Sequence, residues 1–541
     1  MERIWQKHYG RMPHEVDYEN DGSVADLIER SVEKFADLPA VNSFGTTRSY
    51  AEIGRLSRDF AAYLQNGLGL TKGDRVAIML PNIIPFHVAS FGMIRAGMVQ
   101  VNVNPMYTPR ELAHQLNDSG AETIVIASMV SGTLGAVLDQ TGVKNVITVD
   151  LADLTAAPIP PAPVHAALGD AVKLTDALEQ GAGMDFDRPD ITQDDLLFLQ
   201  YTGGTTGLSK GAVLSHGNLV SNVAVYDALA GHITEEGREI VITPIPIYHI
   251  LALMVNCLSY WRYGALNVLI ADPRDMAGFV KTLGQFKFTA MTGVNTLYNG
   301  LLHTPGFADL DFSSLKVCWG GGAPIQEAVS NRWFEVTGGH IREGYGLSET
   351  SPIVSMNLVD RNEYTGTIGI PVPSTDISLR DDDGNEVGFG EEGELCVKGP
   401  QVMSGYWNRP DATAEVMTGD GYFRTGDVAV MDEEGFFRIV DRKKDMILVS
   451  GFNVYPNEIE GVVALIPGIV EAACIGVPND RTGEAVKVFA VRSDDSLTED
   501  AVRMTCREKL TSYKVPASVS FVGELPKSSV GKILRRELRS A

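Results

Sequence analysis

Cysteine is scarce in this sequence and never patterned. The five residues (Cys257, Cys318, Cys396, Cys474 and Cys506) are odd in number among 541, and none belongs to a C-x-x-C pair. That excludes a disulfide framework and a thiolate zinc centre, and it suits a reducing compartment. Long apolar runs are missing too. The most apolar stretch, residues 245–261, is broken by Pro246, His249, Asn256 and Ser259, so no membrane-spanning helix is expected. The opening residues MERIWQKHYGRMPHE lack the apolar core of a signal peptide, and the expectation is a cytoplasmic chain. Positive charge is in deficit: 45 Lys and Arg against 69 Asp and Glu leave a net −24. This argues against nucleic acid as a partner and confines any membrane contact to the periphery. No repeat of roughly 20–50 residues is visible, which excludes a solenoid or propeller. What remains is ordinary globular composition, 44% hydrophobic and 21% charged, in a chain long enough to bury a large core unaided.

Strand and helix signals alternate over the first 150 residues, with strands at 76–80, 99–103 and 123–127 and helices at 84–96 and 110–117. Short apolar runs separated by amphipathic segments predict βαβ units and a mostly parallel sheet. Residues 151–190, rich in Pro and Ala and containing Pro158-Ile-Pro-Pro-Ala-Pro163, read as a surface connection or insert. From about residue 370 the strands shorten. Gly/Asp turns at Asp381-Asp-Asp-Gly-Asn385, Glu391-Glu-Gly-Glu-Leu395 and Asp432-Glu-Glu-Gly-Phe436 predict hairpins of an antiparallel or mixed sheet. The charge cluster Asp441-Arg-Lys-Lys-Asp445 follows, then a compact α+β pattern with strands near 472–477 and 486–491 and a helix near 499–510. The expected class is α/β, with a large N-terminal domain at 1–444, a small α+β domain at 445–541 and their junction at 441–445.

Tyr201-Thr-Gly-Gly-Thr-Thr-Gly-Leu-Ser-Lys210-Gly follows an apolar strand at 196–199. Its glycines let backbone N–H groups approach an anion, its hydroxyls add donors and Lys210 adds charge, which together describe a phosphate-gripping loop. It is not a Walker A loop, because Lys210 follows Ser209 rather than Gly. Gly207-Leu-Ser209-Lys-Gly211 formally matches the hydrolase nucleophile elbow, although Thr202 to Gly207 intervene after the strand. A second backbone-exposing loop, Trp319-Gly-Gly-Gly-Ala-Pro324, follows a strand at 315–318. Glu343-Gly-Tyr345-Gly-Leu-Ser348-Glu349-Thr350 comes soon after. Ligands of α/β sheets lie beyond the carboxyl ends of strands. There Tyr345 could stack a nucleobase and Glu349 could hold Mg²⁺, or the two could serve as core packing and a helix-end carboxylate. Residues 526–541 gather Lys527, Lys532, Arg535, Arg536 and Arg539 against one acid, Glu537. This is either a solvated basic helix end or the place where an acidic protein meets an anion.

With Tyr422-Phe-Arg-Thr-Gly-Asp427, Asp441-Arg-Lys-Lys-Asp445 and Pro526-Lys-Ser-Ser-Val-Gly-Lys532, these segments occur in one order. Together they resemble the motif set of the adenylate-forming superfamily: acyl-CoA synthetases, peptide-synthetase adenylation domains and luciferases. Pro246-Ile-Tyr-His249, Gly293-Val-Asn-Thr296 and the run from Leu448 to Glu460 are similar to bacterial long-chain fatty-acid–CoA ligases. The likeness covers nearly the whole chain, least over 151–190. Ser348 replaces the superfamily's commoner Thr and keeps its hydroxyl. Leu253 stands where some relatives place an aromatic gate, so no gate residue is carried over.

The resemblance implies stacked mixed sheets in the large domain and a mobile small domain. It also implies a two-step reaction in which a fatty acid and ATP give acyl-adenylate, and coenzyme A then displaces AMP. It places the β/γ-phosphates on Thr202, Gly203, Gly204, Thr205, Thr206, Gly207 and Lys210. Adenine falls to Gly322, Ala323, Pro324 and Tyr345, further ATP contacts to Glu343, Gly344, Gly346 and Ser348, the ribose to Asp427 and Arg442, and Mg²⁺ to Glu349. Lys532 becomes the catalytic charge, His249 a wall of the acyl pocket, Ser450 and Gly451 the coenzyme A path, and Lys444 the hinge. Relatives pair through their N-terminal domains, which leaves room for a homodimer. The rival readings are a ligase for an aryl, short-chain or sulfur-containing acid, a silent nucleotide-binding protein, and the serine hydrolase.

Overall fold

The computed structural model describes residues 3–202, 209–450, 452–479, 481–528 and 531–539. Strands at Arg75–Met79, Val99–Asn102 and Thr123–Ala127 and helices at Ile84–Arg95 and Pro109–Ser119 occupy the positions that the periodicity predicts. They belong to a seven-stranded sheet whose first six strands are parallel, ending at Leu196–Thr202. Its last strand, Lys210–Ser215, runs antiparallel to Leu196–Thr202. A nine-stranded sheet has a parallel centre that includes Val317–Gly320 and Ile341–Gly346, with antiparallel strands at its edges. Helix Ile84–Arg95 is buried on every side, as its all-round apolar sequence requires.

Four antiparallel strands, Asp376–Arg380, Gly393–Lys398, Phe423–Met431 and Phe437–Arg442, form the hairpins expected from the Gly/Asp turns. After them a five-stranded sheet built on Ile469–Asn479 and Gly483–Arg492 carries helices Pro456–Ala464 and Glu499–Lys509. The apolar clusters of this last part contain only residues from 447 onward. Stacked mixed sheets followed by a smaller α+β unit are the expected class. Among the described residues no helix is long and apolar enough to cross a membrane.

Two elements depart from the sequence reading. Residues 151–190 are not merely a connection: Leu174–Ala182 is a helix that buries Leu174, Ala177, Leu178 and Gly181. That i, i+3, i+4, i+7 spacing is hidden in the Pro/Ala composition. Gly181 packs so tightly that a Cβ would fall 1.9 Å from the Asp59 carbonyl oxygen. The basic tail stays exposed at Lys527, Arg536 and Arg539, but several of its charges meet acids. Lys527 pairs with Glu471 at 2.7 Å, Arg539 with Asp445 at 3.0 Å and Arg535 with Glu460 at 2.8 Å.

Candidate active site

The Gly/Thr-rich segment joins two antiparallel strands, Leu196–Thr202 and Lys210–Ser215. Thr202 and Lys210 are the last paired residues of those strands. Gly203, Gly204, Thr205, Thr206 and Gly207 lie outside the described residues. The hairpin is braced from the side: the Tyr201 hydroxyl donates to Asp118 at 2.8 Å, and Arg409 donates to the other Asp118 oxygen at 2.6 Å. Ser209 leads into a strand, and the next helix starts only at His216, capped by Ser215. A nucleophile elbow needs its serine on a strand-to-helix turn. Ser209 is not on one, so the hydrolase geometry is absent.

Across the hairpin, Glu349 sits in a short helical turn, residues 348–350, that also contains the half-buried Ser348. Glu349 is itself buried, and that burial raises its carboxyl above the usual range. The Tyr406 hydroxyl donates to it at 2.8 Å. The Tyr406 ring lies 5.1 Å from the Lys210 ammonium.

Beyond strand Val317–Gly320 the chain turns through Gly322, whose φ of +77° is left-handed and favours glycine. Gly322 and Pro324 are exposed and Ala323 is half-buried, so this loop offers backbone to a ligand. Gly346 is a glycine for another reason. A Cβ at Gly346 would strike the Pro352 carbonyl at 1.7 Å, so strand pairing demands glycine there, whereas at Gly344 it would first meet the flexible end of Met356 at 2.6 Å. Glu343 between these loops is pushed up to about 8 by burial. Tyr345 donates to Asp427 at 2.6 Å. Asp427 in turn faces Arg442 across paired strands, Nε to Oδ1 3.4 Å.

The C-terminal part approaches the same place. Gly531 carries a left-handed φ of +78°, and its carbonyl accepts from Thr296 at 3.0 Å. A Cβ there would come within 2.9 Å of the Thr296 hydroxyl oxygen and 3.1 Å of Val294. Glycine therefore permits the close approach of this loop to the large domain. Lys532 follows, its loop closed by Ser528, whose N–H donates to the Lys532 carbonyl at 2.7 Å. Burial pushes the ammonium down to about 7; Arg442, Lys444 and Arg535 lower it further and Asp427 raises it. His249 feels the Lys532 charge. Burial first and that charge second hold its ring near 4 and therefore neutral. Its Nδ1 accepts the Leu251 N–H at 3.4 Å, capping a short helix.

Lys444, the expected hinge, is exposed, and partial desolvation together with Arg442 brings its ammonium down to about 8. Exposed Ser450 has φ +53°, and its N–H donates to the Thr482 carbonyl at 2.8 Å. Gly451 lies outside the described residues. Two residues of this constellation escape a sequence reading: Asp118 and Tyr406. Each meets its partners across the fold, and the only local hint is the Gly405-Tyr406 pair with its bent backbone.

The family model of the AMP-binding enzyme matches residues 28–407, and that of the AMP-binding enzyme C-terminal domain matches 458–532. This chain belongs to the AMP-binding enzyme family. It is 52% identical to the long-chain-fatty-acid–CoA ligase of Escherichia coli O6:H1, over 100% of this chain and 98% of that one. It is 47% identical to the ligase of the same name from Haemophilus influenzae, with the same coverage. Among solved structures, ATP-bound MatB from Rhodopseudomonas palustris shares 31% identity and superposes with a TM-score of 0.83, over 95% of this chain and 98% of that one. As an AMP-binding enzyme, the chain places its two family segments on either side of the Asp427–Arg442 pair and the 441–445 cluster.

Proposed function

We propose that this AMP-binding enzyme is an ATP-dependent long-chain fatty-acid–CoA ligase that works through an acyl-adenylate. The supporting observation is the approach of Lys532 to the neutral His249 and to the Asp427–Arg442 pair. One lysine there serves both an acyl group and a nucleotide. In the first step the fatty carboxylate oxygen bonds to the α-phosphorus of ATP, and the bond to the β-phosphate oxygen breaks, releasing pyrophosphate. A carboxylate is a weak nucleophile, so positioning and charge neutralisation carry this step. The hairpin of Thr202 to Lys210 holds the departing phosphates. The Gly322–Pro324 loop and Tyr345 frame adenine, Glu343, Gly344, Gly346 and Ser348 make further ATP contacts, Asp427 and Arg442 hold the ribose, and His249 lines the acyl pocket. Lys532 stabilises charge on the carboxylate and α-phosphate as they join. In the second step the thiol of coenzyme A attacks the acyl carbon, its proton is lost and AMP leaves. For that step the domain of residues 445–541 turns about Lys444, withdraws Lys532 and presents Ser450 and Gly451 to the pantetheine.

Mg²⁺ fits Glu349. The ion takes hard oxygen ligands and is commonly held by one or two carboxylates together with substrate phosphates. Glu349 is a single buried carboxylate. Among the described residues, no cluster of three His, Cys, Asp or Glu competes with it for a metal. When bound, the ion would neutralise phosphate charge.

Chain length tests the substrate. Burial worth ~0.8 kcal/mol per methylene raises kcat/KM about fourfold for each added carbon until the tunnel is full. A pyrophosphate-release screen over saturated acids of graded length should show that rise. A flat response, or a preference for aromatic acids, would assign the enzyme to another carboxylate.

The Lys532 pKa gives a second test. The unfolded lysine keeps its proton to the ordinary lysine value of 10.5 and the folded one to about 7. Between those values the folded state holds fewer protons, so stability gains as pH rises through this window. Above about 7 Lys532 is largely neutral, and ATP phosphates docking beside it restore the charge. Calorimetry at pH ~8 in buffers of different ionisation enthalpy should record net proton uptake on ATP binding. Lys532→Ala should abolish it, and equal uptake by the variant would place the proton elsewhere.

A further inference from the structure

Residues 403–407 form an extra strip along the free edge of strand Lys210–Ser215. Trp407 N–H donates to the Gly211 carbonyl at 2.8 Å, Val213 N–H to Gly405 at 3.0 Å and Ser404 N–H to Val213 at 3.3 Å. At one end Met403 N–H donates to the Glu349 carbonyl at 2.8 Å, and near the other Tyr406 N–H donates to the Thr413 hydroxyl at 2.9 Å. Gly405 takes a φ of +150°, and a Cβ there would strike Thr413 at 2.7 Å. The backbone of Tyr406 is thus fixed on both sides. Its ring lies by Lys210 and its hydroxyl reaches Glu349.

We propose that Tyr406 is the positioning residue that sets Glu349 and Lys210 relative to each other, its hydroxyl orienting the carboxylate for a divalent cation and its ring seating the ammonium beside the phosphates. This rests on the reading of Glu349 as the metal residue and Lys210 as a phosphate residue. A phenylalanine would fill the same space and make the same backbone bonds, so packing alone does not require the hydroxyl. The hydroxyl donates one hydrogen bond, which leaves carboxylate lone pairs for a cation. Outer partners of this kind typically change metal affinity 10–100-fold. A cation held against an aromatic face contributes less, a factor of about two to five in affinity at a partly exposed site.

The test is equilibrium Mn²⁺ binding, followed by electron paramagnetic resonance, to enzyme saturated with a non-hydrolysable ATP analogue. Tyr406→Phe should weaken Mn²⁺ binding about tenfold or more while leaving metal-free analogue affinity unchanged. Tyr406→Leu should in addition weaken metal-free analogue binding about two- to fivefold. In a Glu349→Gln background Tyr406→Phe should add nothing. If Glu349→Gln loses Mn²⁺ and Tyr406→Phe binds it as the parent does, Tyr406 is packing only and the proposal is overturned. If Glu349→Gln itself binds Mn²⁺ like the parent, the metal assignment of Glu349 fails first and the proposal falls with it. Should the leucine variant not fold, the phenylalanine variant decides alone, because it keeps the ring.

Discussion

Lys532→Ala is expected to lower acyl-adenylate formation ~10²–10³-fold, the usual cost of removing one preorganised charge donor at a reacting centre. Supplied with ready-made acyl-adenylate, the same variant should still form acyl-CoA at close to the parental rate. The asymmetry follows from how Lys532 arrives. Its loop rests on the large domain through Gly531, whose carbonyl accepts from Thr296 and whose missing side chain allows that approach. A contact of this size, one hydrogen bond and a glycine, can be made and broken within a catalytic cycle. Single-turnover chemistry that follows adenylate and thioester separately decides the matter. Equal impairment of both steps would mean that Lys532 never leaves, and a single fixed site would have to replace the two-conformation scheme.

The second large effect is on stability. Arg535→Ala should destabilise the C-terminal sheet by ~3–5 kcal/mol, because it strands acids that were buried with a partner. Arg535 meets Glu460 at 2.8 Å and lies 3.6 Å from both Asp441 and Asp445. Asp441 is fully buried, and burial already lifts its carboxyl to about 6 despite Arg535. Without the guanidinium that acid must take up a proton or unfold its surroundings. Hydrogen exchange of amides in 469–492 should quicken roughly 10²–10⁴-fold. Unchanged protection there would mean that the acids find another counter-charge and that Arg535 is dispensable.

How much was legible beforehand depended on periodicity. Strand Thr123–Ala127 and helix Ile84–Arg95 follow from uninterrupted apolar runs, and the hairpins after 370 follow from Gly/Asp turns. Strand Lys210–Ser215 was not legible. It opens with Lys-Gly and reads as the end of a loop, and only pairing with Leu196–Thr202 makes it a strand. Helix Leu174–Ala182 was masked by its composition. Within the site, residues that lie in motifs could be named from the sequence. Residues that support them could not, since Asp118 and Tyr406 act on partners 57 to 291 positions away. A polar side chain carries no periodic signal, so its partner appears only after the sheets are stacked. Even the glycines divided unexpectedly: a Cβ at Gly322 would meet nothing nearer than Val294 at 3.9 Å, whereas one at Gly346 would strike the Pro352 carbonyl at 1.7 Å.

The strip at 403–407 has a consequence in time. Strand Lys210–Ser215 ends its sheet, and its outer edge is covered only by backbone that comes almost 200 residues later in the chain. On a ribosome adding ~5–20 residues per second, about 10–40 s separate the synthesis of Lys210 from that of Tyr406. Throughout that interval a glycine-bearing edge strand stands unpaired, the kind of edge that recruits strands from other chains. The nascent protein is therefore prone to pair with its neighbours while this edge is uncovered. The arrival of Ser404 to Trp407 closes the edge and delivers Tyr406 in a single event.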